Sequence, residues 1–248
     1  MTFFPSELSI MRPMSKREEL RKKRQTEARR RQLTIIGVVA VVAVIVAGLL
    51  IIPNLRPADE VIVPVSENYP QANGKALGPQ GAKVIVQLFS DFQCPGCRQF
   101  AATSEVQLIE EYIATGQSVR LEYYHFPIVD RIVGGRESRN AAQASECANE
   151  QGQFWLYHDF LYANWKGEGV GAFRDPNLKA FAEKAGLDTA QFNTCYDSGK
   201  YASAVSNDET LGQSLGVTGT PTVFVNRVQV QSSYASLKAA VEAALAQP

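Results

Sequence analysis

The chain has 248 residues, 45% of them apolar, which is enough for one sizeable core with an inserted subdomain and excludes a disordered or small disulfide-stapled chain. Its formal net charge of zero conceals a split: residues 1–52 carry ten Lys/Arg against four acids, and residues 53–248 carry fifteen against twenty-one. The acidic larger part gives no electrostatic reason to expect nucleic acid as a partner.

The uncharged run from Leu33 to Ile52 is twenty residues long, with only Thr34, Gly37 and Gly48 outside the strongly apolar set. As a helix it spans ~30 Å, the thickness of a bilayer core. Lys16, Arg17, Arg21, Lys22, Lys23, Arg24, Arg29, Arg30 and Arg31 precede it, whereas Pro53 to Pro64 contain only Arg56. The positive-inside rule then predicts a basic cytoplasmic tail (1–32), a transmembrane helix (33–52) anchoring the chain in the cell membrane, and an extracytoplasmic remainder. A cleaved signal peptide would have a shorter apolar region followed by a small-x-small site, and neither is evident. Outside the cytoplasm disulfides persist, which bears on the four cysteines, Cys94, Cys97, Cys147 and Cys195.

Residues 53–79, rich in Pro, Asn and Gly, read as a tether with room for one edge strand. Lys83 to Phe89 is a β-branched apolar run suited to a strand buried on both faces. After the turn from Ser90 to Gln93, the apolar positions Phe100, Val106, Leu108, Ile109, Tyr112 and Ile113 predict a helix from Pro95 to about Thr115, ended by Gly116. Ser118 to Tyr124 alternates as a second strand. Residues 135–215 read as a helical insertion, with Asp188 and Gln191 forming a capping box. Thr222 to Asn226 and Val228 to Gln231 follow as two strands, and Ser233 to Ala246 as a final helix. The order predicts an α/β domain over 80–248.

Cys94-Pro95-Gly96-Cys97 carries the chemistry. Pro95 suits the first helical position because its missing N–H has no helical partner there. Cys94 then occupies the cap, where backbone N–H groups and the positive end of the helix dipole favour its thiolate. In characterised Cys-x-x-Cys proteins such thiols titrate at ~3.5 to ~7, against ~8.5 for free cysteine. The more the thiolate is stabilised, the more oxidising the disulfide becomes. Cys94 is expected to exchange with substrate and buried Cys97 to resolve the mixed disulfide. The competing reading is half of a zinc site, which needs two more ligands. Cys147 and Cys195 stand forty-eight residues apart, and His125 and His158 are the only histidines, so no metal is expected.

Three segments in order, Phe89 to Arg98 (FSDFQCPGCR), His125-Phe126-Pro127, and Gly216 to Thr222 (GVTGTPT), resemble the DsbA-like branch of the thioredoxin superfamily over roughly Gly78 to Ala246. The resemblance implies a thioredoxin fold, a central mixed sheet flanked by helices with an inserted helical subdomain. It places Pro221 as a cis-proline beside the active pair. A cis X-Pro bond turns the Thr220 backbone toward an incoming extended peptide. One departure stands out: many relatives carry an acid six positions before the first cysteine, assigned to proton transfer with the second, and here that position is Leu88. The role is unfilled unless Asp91 or Glu122 reaches the sulfur.

Cys147 and Cys195 both lie in the insertion, and in an oxidising compartment two remaining cysteines more often pair than stay free; a structural bridge would contribute ~4 kcal/mol in the chain-entropy model. Some DsbA-like relatives have such a second disulfide. His125 either tunes the active sulfur or is a packed strand-end residue, and His158 sits in an aromatic helical stretch with no assigned role. The reading that results is a membrane-anchored thiol-disulfide oxidoreductase without a cofactor. It oxidises exported proteins with free thiols and passes electrons to a quinone-linked membrane partner. The alternatives are an extracytoplasmic reductase or isomerase, and a non-enzymatic peptide-binding module.

Overall fold

The computed structural model describes residues 16–55, 57–65 and 69–247, so the first fifteen residues of the expected basic tail lie outside the described residues. The chain divides into two units, Met1–Pro53 and Asn54–Pro248. The first is built on helix α1 (Lys16–Leu55), 40 residues long and therefore about 60 Å. It includes Leu20–Leu49, a stretch long and apolar enough to cross a membrane, with none of its apolar window buried. A helix satisfies every backbone polar group internally, which is what hydrocarbon demands, and a continuous sleeve of exposed Val, Ile and Leu suits lipid. This unit is compatible with single-pass membrane anchoring.

The second unit holds a five-stranded sheet in the order β1-β3-β2-β4-β5. These strands are β1 (Ala76–Leu77), β2 (Val84–Ser90), β3 (Val119–His125), β4 (Thr222–Val225) and β5 (Val228–Val230). β2 runs parallel to β3, with Val84 opposite Val119 and Ser90 opposite His125. β4 runs antiparallel to β2, with Phe89 opposite Thr222. That register gathers the end of β2, the end of β3 and the start of β4 at one edge of the sheet, where the loops carrying Cys94 and Pro221 meet.

β2 departs from the expectation of burial on both faces. Val84, Val86 and Leu88 enter the main core with Phe92, Phe100, Leu237 and Val241, and Phe89 joins Phe126, Val217 and Phe224 on the other side. Ile85 and Gln87, however, are only partly buried. The cover on that second face is helix α9 (Ala202–Ser214), which touches the sheet through Gly212; a Cβ there would lie 2.8 Å from the Phe126 ring and 3.1 Å from that of Phe89. The close approach is confined to the strand's C-terminal end, next to the Cys94 loop.

The helix after β2 is not one regular α-helix. α2 (Pro95–Phe100) passes into a π turn, Ala101–Glu105, then α3 (Val106–Leu108) and a second π stretch, Ile109–Ile113. The insertion comprises α4 (Val129–Val133), α5 (Glu137–Asn149), α6 (Phe154–Ala163), α7 (Asp175–Lys184), α8 (Thr189–Asp197) and α9, and α10 (Tyr234–Ala246) closes the chain against the sheet. Asp188 caps α8 by accepting from the Ala190 and Gln191 amides. The reciprocal half of the expected capping box is filled from outside the helix, since Gln151 Oε1 accepts the Asp188 N–H at 2.8 Å.

The segment expected as a tether is fastened to the insertion where it is described. Asn164 clasps Ile62, accepting its N–H and donating to its carbonyl, each at 2.7 Å. Asp59 meets Lys166 at 2.9 Å and Arg174 at 2.8 Å, and these cations hold its carboxyl down to about 2. Ala76 and Leu77 form the short edge strand, antiparallel on β3.

Candidate active site

Cys94 occupies the N-cap of α2 with extended backbone, and Pro95 follows in the first turn. The helix N-terminus leaves amides without helical partners, and those of Cys97 and Gly96 point at the Cys94 sulfur. The Cys97 thiol is the largest influence, donating to that sulfur. Partial burial opposes it, and the Thr220 hydroxyl and the two amides reinforce it. The net effect lowers Cys94 from 9.0 to about 6. When protonated, Cys94 Sγ donates to the Thr220 carbonyl at 3.3 Å.

Cys97 is the opposite case, only 1% exposed. Burial, and then the neighbouring Cys94 sulfur, push its thiol well above the ordinary value, with partial relief from the Asp91 N–H and the Ser90 hydroxyl. The two sulfurs are therefore a charged outer thiolate and a neutral inner thiol. This asymmetry follows from one turn of helix, because the cap residue faces solvent and amides while the residue three positions on faces the core.

The Thr220-Pro221 peptide bond is cis, and the proline ring packs over Gly96: a Cβ at Gly96 would lie 3.2 Å from Pro221 Cδ and 3.7 Å from Cys94 Sγ. Cys94, Gly96, Thr220 and Pro221 thus form one contiguous surface. His125 is turned elsewhere. It is buried at the end of β3, with its Nε2 3.3 Å from Glu146, in a cluster where Lys75 bridges Glu146 at 2.7 Å and Asp208. Burial and the Lys75 charge keep it below the ordinary imidazole range. Cys147 and Cys195 are joined in a disulfide between α5 and α8.

Neither acid considered as a substitute at Leu88 faces Cys97 through its carboxylate. Asp91 offers the sulfur its backbone N–H at 3.4 Å, while its carboxylate accepts from the Gln93 and Val129 amides, each at 2.9 Å; burial raises that carboxyl to about 7. Glu122 is engaged by Arg120 and Tyr124.

Sequence reasoning missed Gln93 and Trp165. Gln93 is fully buried and ties the Cys94 loop to three segments: Asp130 at 3.1 Å, Ser138 at 2.8 Å and the Gly169 amide at 2.7 Å. Trp165 donates to the Gln93 carbonyl at 2.7 Å and carries the Arg98 guanidinium over its ring. A glutamine directly before the first cysteine was the available signal, but its partners are distant in the chain.

A family model described as Thioredoxin matches residues 71–243. The chain is 30% identical over 181 residues to the probable disulfide bond formation protein D of Bacillus cereus, an alignment covering 71% of this chain and 81% of that protein. The chain belongs to the DsbA-like thiol-disulfide oxidoreductases. Among solved structures of that fold, a thioredoxin-like oxidoreductase from Silicibacter pomeroyi DSS-3 superposes with a TM-score of 0.57 at 28% identity, covering 70% of this chain and 92% of that one. Oxidised BdbD from Bacillus subtilis gives a TM-score of 0.64 at 24% identity, over 76% of this chain and 100% of its own, and agrees in fold. Leu88, the position where the sequence resemblance raised the question of an acid, is buried in the sheet core.

Proposed function

We propose that this oxidoreductase is an extracytoplasmic oxidase that donates a Cys94–Cys97 disulfide to exported proteins through a mixed disulfide. The observation that carries the reading is the unequal poise of the two thiols. A Cys94 thiolate favoured down to about 6 stabilises the dithiol form, and a stabilised dithiol makes its disulfide a strong oxidant. In the forward reaction a substrate thiolate attacks Cys94 Sγ, Cys97 leaves, and a second substrate thiol releases Cys94. The groove between Cys94 and the Thr220-Pro221 bond receives the substrate in extended conformation, main chain pairing beside Thr220. Relatives called disulfide bond formation proteins support this direction.

The arginine-rich start of α1 lies on the cytoplasmic side, its apolar run crosses the membrane, and the catalytic domain works outside. Electrons leave from Cys94 and Cys97 to a quinone-linked membrane partner. Thiol trapping of the full chain in intact cells tests the direction: a Cys94–Cys97 pair found mostly as disulfide is expected, and one found mostly as dithiol overturns the oxidase in favour of a reductase.

A further inference from the structure

With Leu88 in place of a carboxyl, the buried Cys97 sulfur still has a polar way out. Ser90, at the end of β2, acts on the Cys97 sulfur through its hydroxyl, and Ser90 Oγ lies 3.0 Å from the Tyr162 hydroxyl of α6. The Tyr123 hydroxyl of β3 is buried nearby without a hydrogen bond of its own, and the Cys97 and Glu105 charges help keep it neutral. Glu105 is only 4% exposed and stands 3.5 Å from His158 Nε2. His158 Nδ1 is 2.9 Å from Asp159, which also accepts from Tyr69. Asp159, Glu105, Tyr162 and Tyr69 line a cavity of about 480 Å³ that opens beside Pro95 and Arg98.

The π turn is what brings Glu105 into this array. Eight residues separate it from Cys97, about 2.2 turns of α-helix, which would place it roughly 80° around the helix from the sulfur. The wider π turn over Ala101–Glu105 absorbs that excess and returns Glu105 toward the buried face that Cys97 occupies. A buried glutamate beside a buried histidine costs free energy that packing alone would not retain.

We infer that Ser90 and Tyr162, together with the Glu105–His158–Asp159 array, form a proton path joining the Cys97 sulfur to the solvent cavity beside α2. This rests on the mixed-disulfide reading. When a substrate thiolate attacks Cys94 Sγ, the Cys94–Cys97 bond breaks as the new S–S bond forms, and the electron pair leaves on Cys97. Burial disfavours that charge, so the sulfur takes the Ser90 proton. Tyr162 refills the serine, and Glu105, His158 and Asp159 replace the tyrosine proton from solvent across the cavity that Tyr162, Glu105 and Asp159 line together. Loss of the Cys97 proton on reoxidation runs the same path backward.

The chemistry of each member fits. Burial keeps both tyrosines neutral. Burial also works against charge on His158, but the Glu105 and Asp159 carboxylates outweigh it and hold the imidazole above its ordinary range. The other charged groups nearby are engaged elsewhere: Arg98 donates to the Tyr162 carbonyl at 3.3 Å, and His125 lies against Glu146, which Lys75 also pairs.

Tyr162→Phe and Glu105→Gln keep shape and packing, and test the path in the full chain. Oxidised protein is mixed with glutathione, and Cys97 release is followed by stopped flow from pH 5 to 9, while the Cys94 thiolate is titrated separately by its ultraviolet absorbance. The expected result is release slowed on the order of 100-fold with a flattened pH profile, and an unchanged Cys94 titration. Variants that match the parent in rate and profile overturn the path, as does a rate loss fully explained by a shifted Cys94 titration. If the parent forms no mixed disulfide with glutathione, the exchange reading itself fails, and the path with it.

Discussion

The two cysteine pairs of this chain sit on helices of one domain and behave in opposite ways. Cys94 and Cys97 bracket the first turn of α2, free thiols with the outer one half-exposed at a helix cap. Cys147 and Cys195 lie within α5 and α8, bonded to each other and buried. In a helix interior the backbone amides are already used by the ladder, so no donors are left to stabilise a thiolate. At the cap they are unused and point at the sulfur. The difference between a reactive pair and a staple is thus whether the sulfur meets a helix cap or a helix interior.

That contrast can be broken most directly by substitution. Cys94→Ser is expected to reduce thiol-disulfide exchange to background in an insulin-reduction assay. Cys147→Ala/Cys195→Ala leaves exchange within about two-fold, because neither sulfur contacts the site. An anchored binding module would instead show no change on losing Cys94.

A second test uses pH. A folded-state thiol lowered from 9.0 to about 6 adds stability to the reduced form that is fully present above the unfolded value and lost as pH falls through about 6. The disulfide form has no such group. The stability of reduced relative to oxidised protein should therefore rise from pH 6 to pH 9, by on the order of 4 kcal/mol at most. Denaturant titrations of both forms across that range check it, and a flat difference would mean that the cap does not stabilise the thiolate.

Removing the staple should cost a comparable amount, ~4 kcal/mol for a loop of 48 residues in the chain-entropy model. A fall in urea midpoint at unchanged exchange rate separates this structural role from a redox relay. The smallest effect is expected from Gly96→Ala. Its new Cβ would press on Pro221 Cδ from 3.2 Å, so the ring must give by a few tenths of an ångström. Exchange should fall by less than about ten-fold, with a small rise in the Cys94 titration midpoint and no loss of fold.

Much of this was legible in local sequence. The Cys-Pro-Gly-Cys spacing, the proline at the first helical position and the twenty-residue apolar run are short-range patterns, each tied to a few consecutive backbone or bilayer constraints. The strand around Val84 was readable as a β-branched apolar run, that around Val119 from alternation, and the Asp188 cap from one side chain two and three residues ahead of its amides. Gln151, which completes that cap, comes from the turn between α5 and α6 and left no local sign.

The rest concerns groups that folding brings together over long separations. Gln93 binds Asp130, Ser138 and Gly169; Thr220 meets Cys94 across 126 residues; and Asn164 clasps Ile62 across 102. The membrane-length helix, the α/β order and the reactive pair are written in the residues alone, since periodicity and helix-end chemistry act within a turn or two. The sequence could not show that β2 is covered on its second face only where Gly212 lets α9 approach. Nor could it show that a π turn carries Glu105 inward, or that His125 turns to Glu146 while His158 turns to Glu105. Those outcomes depend on which distant side chains compete for the same buried space, and that competition is settled only when the sheet and the insertion close on each other.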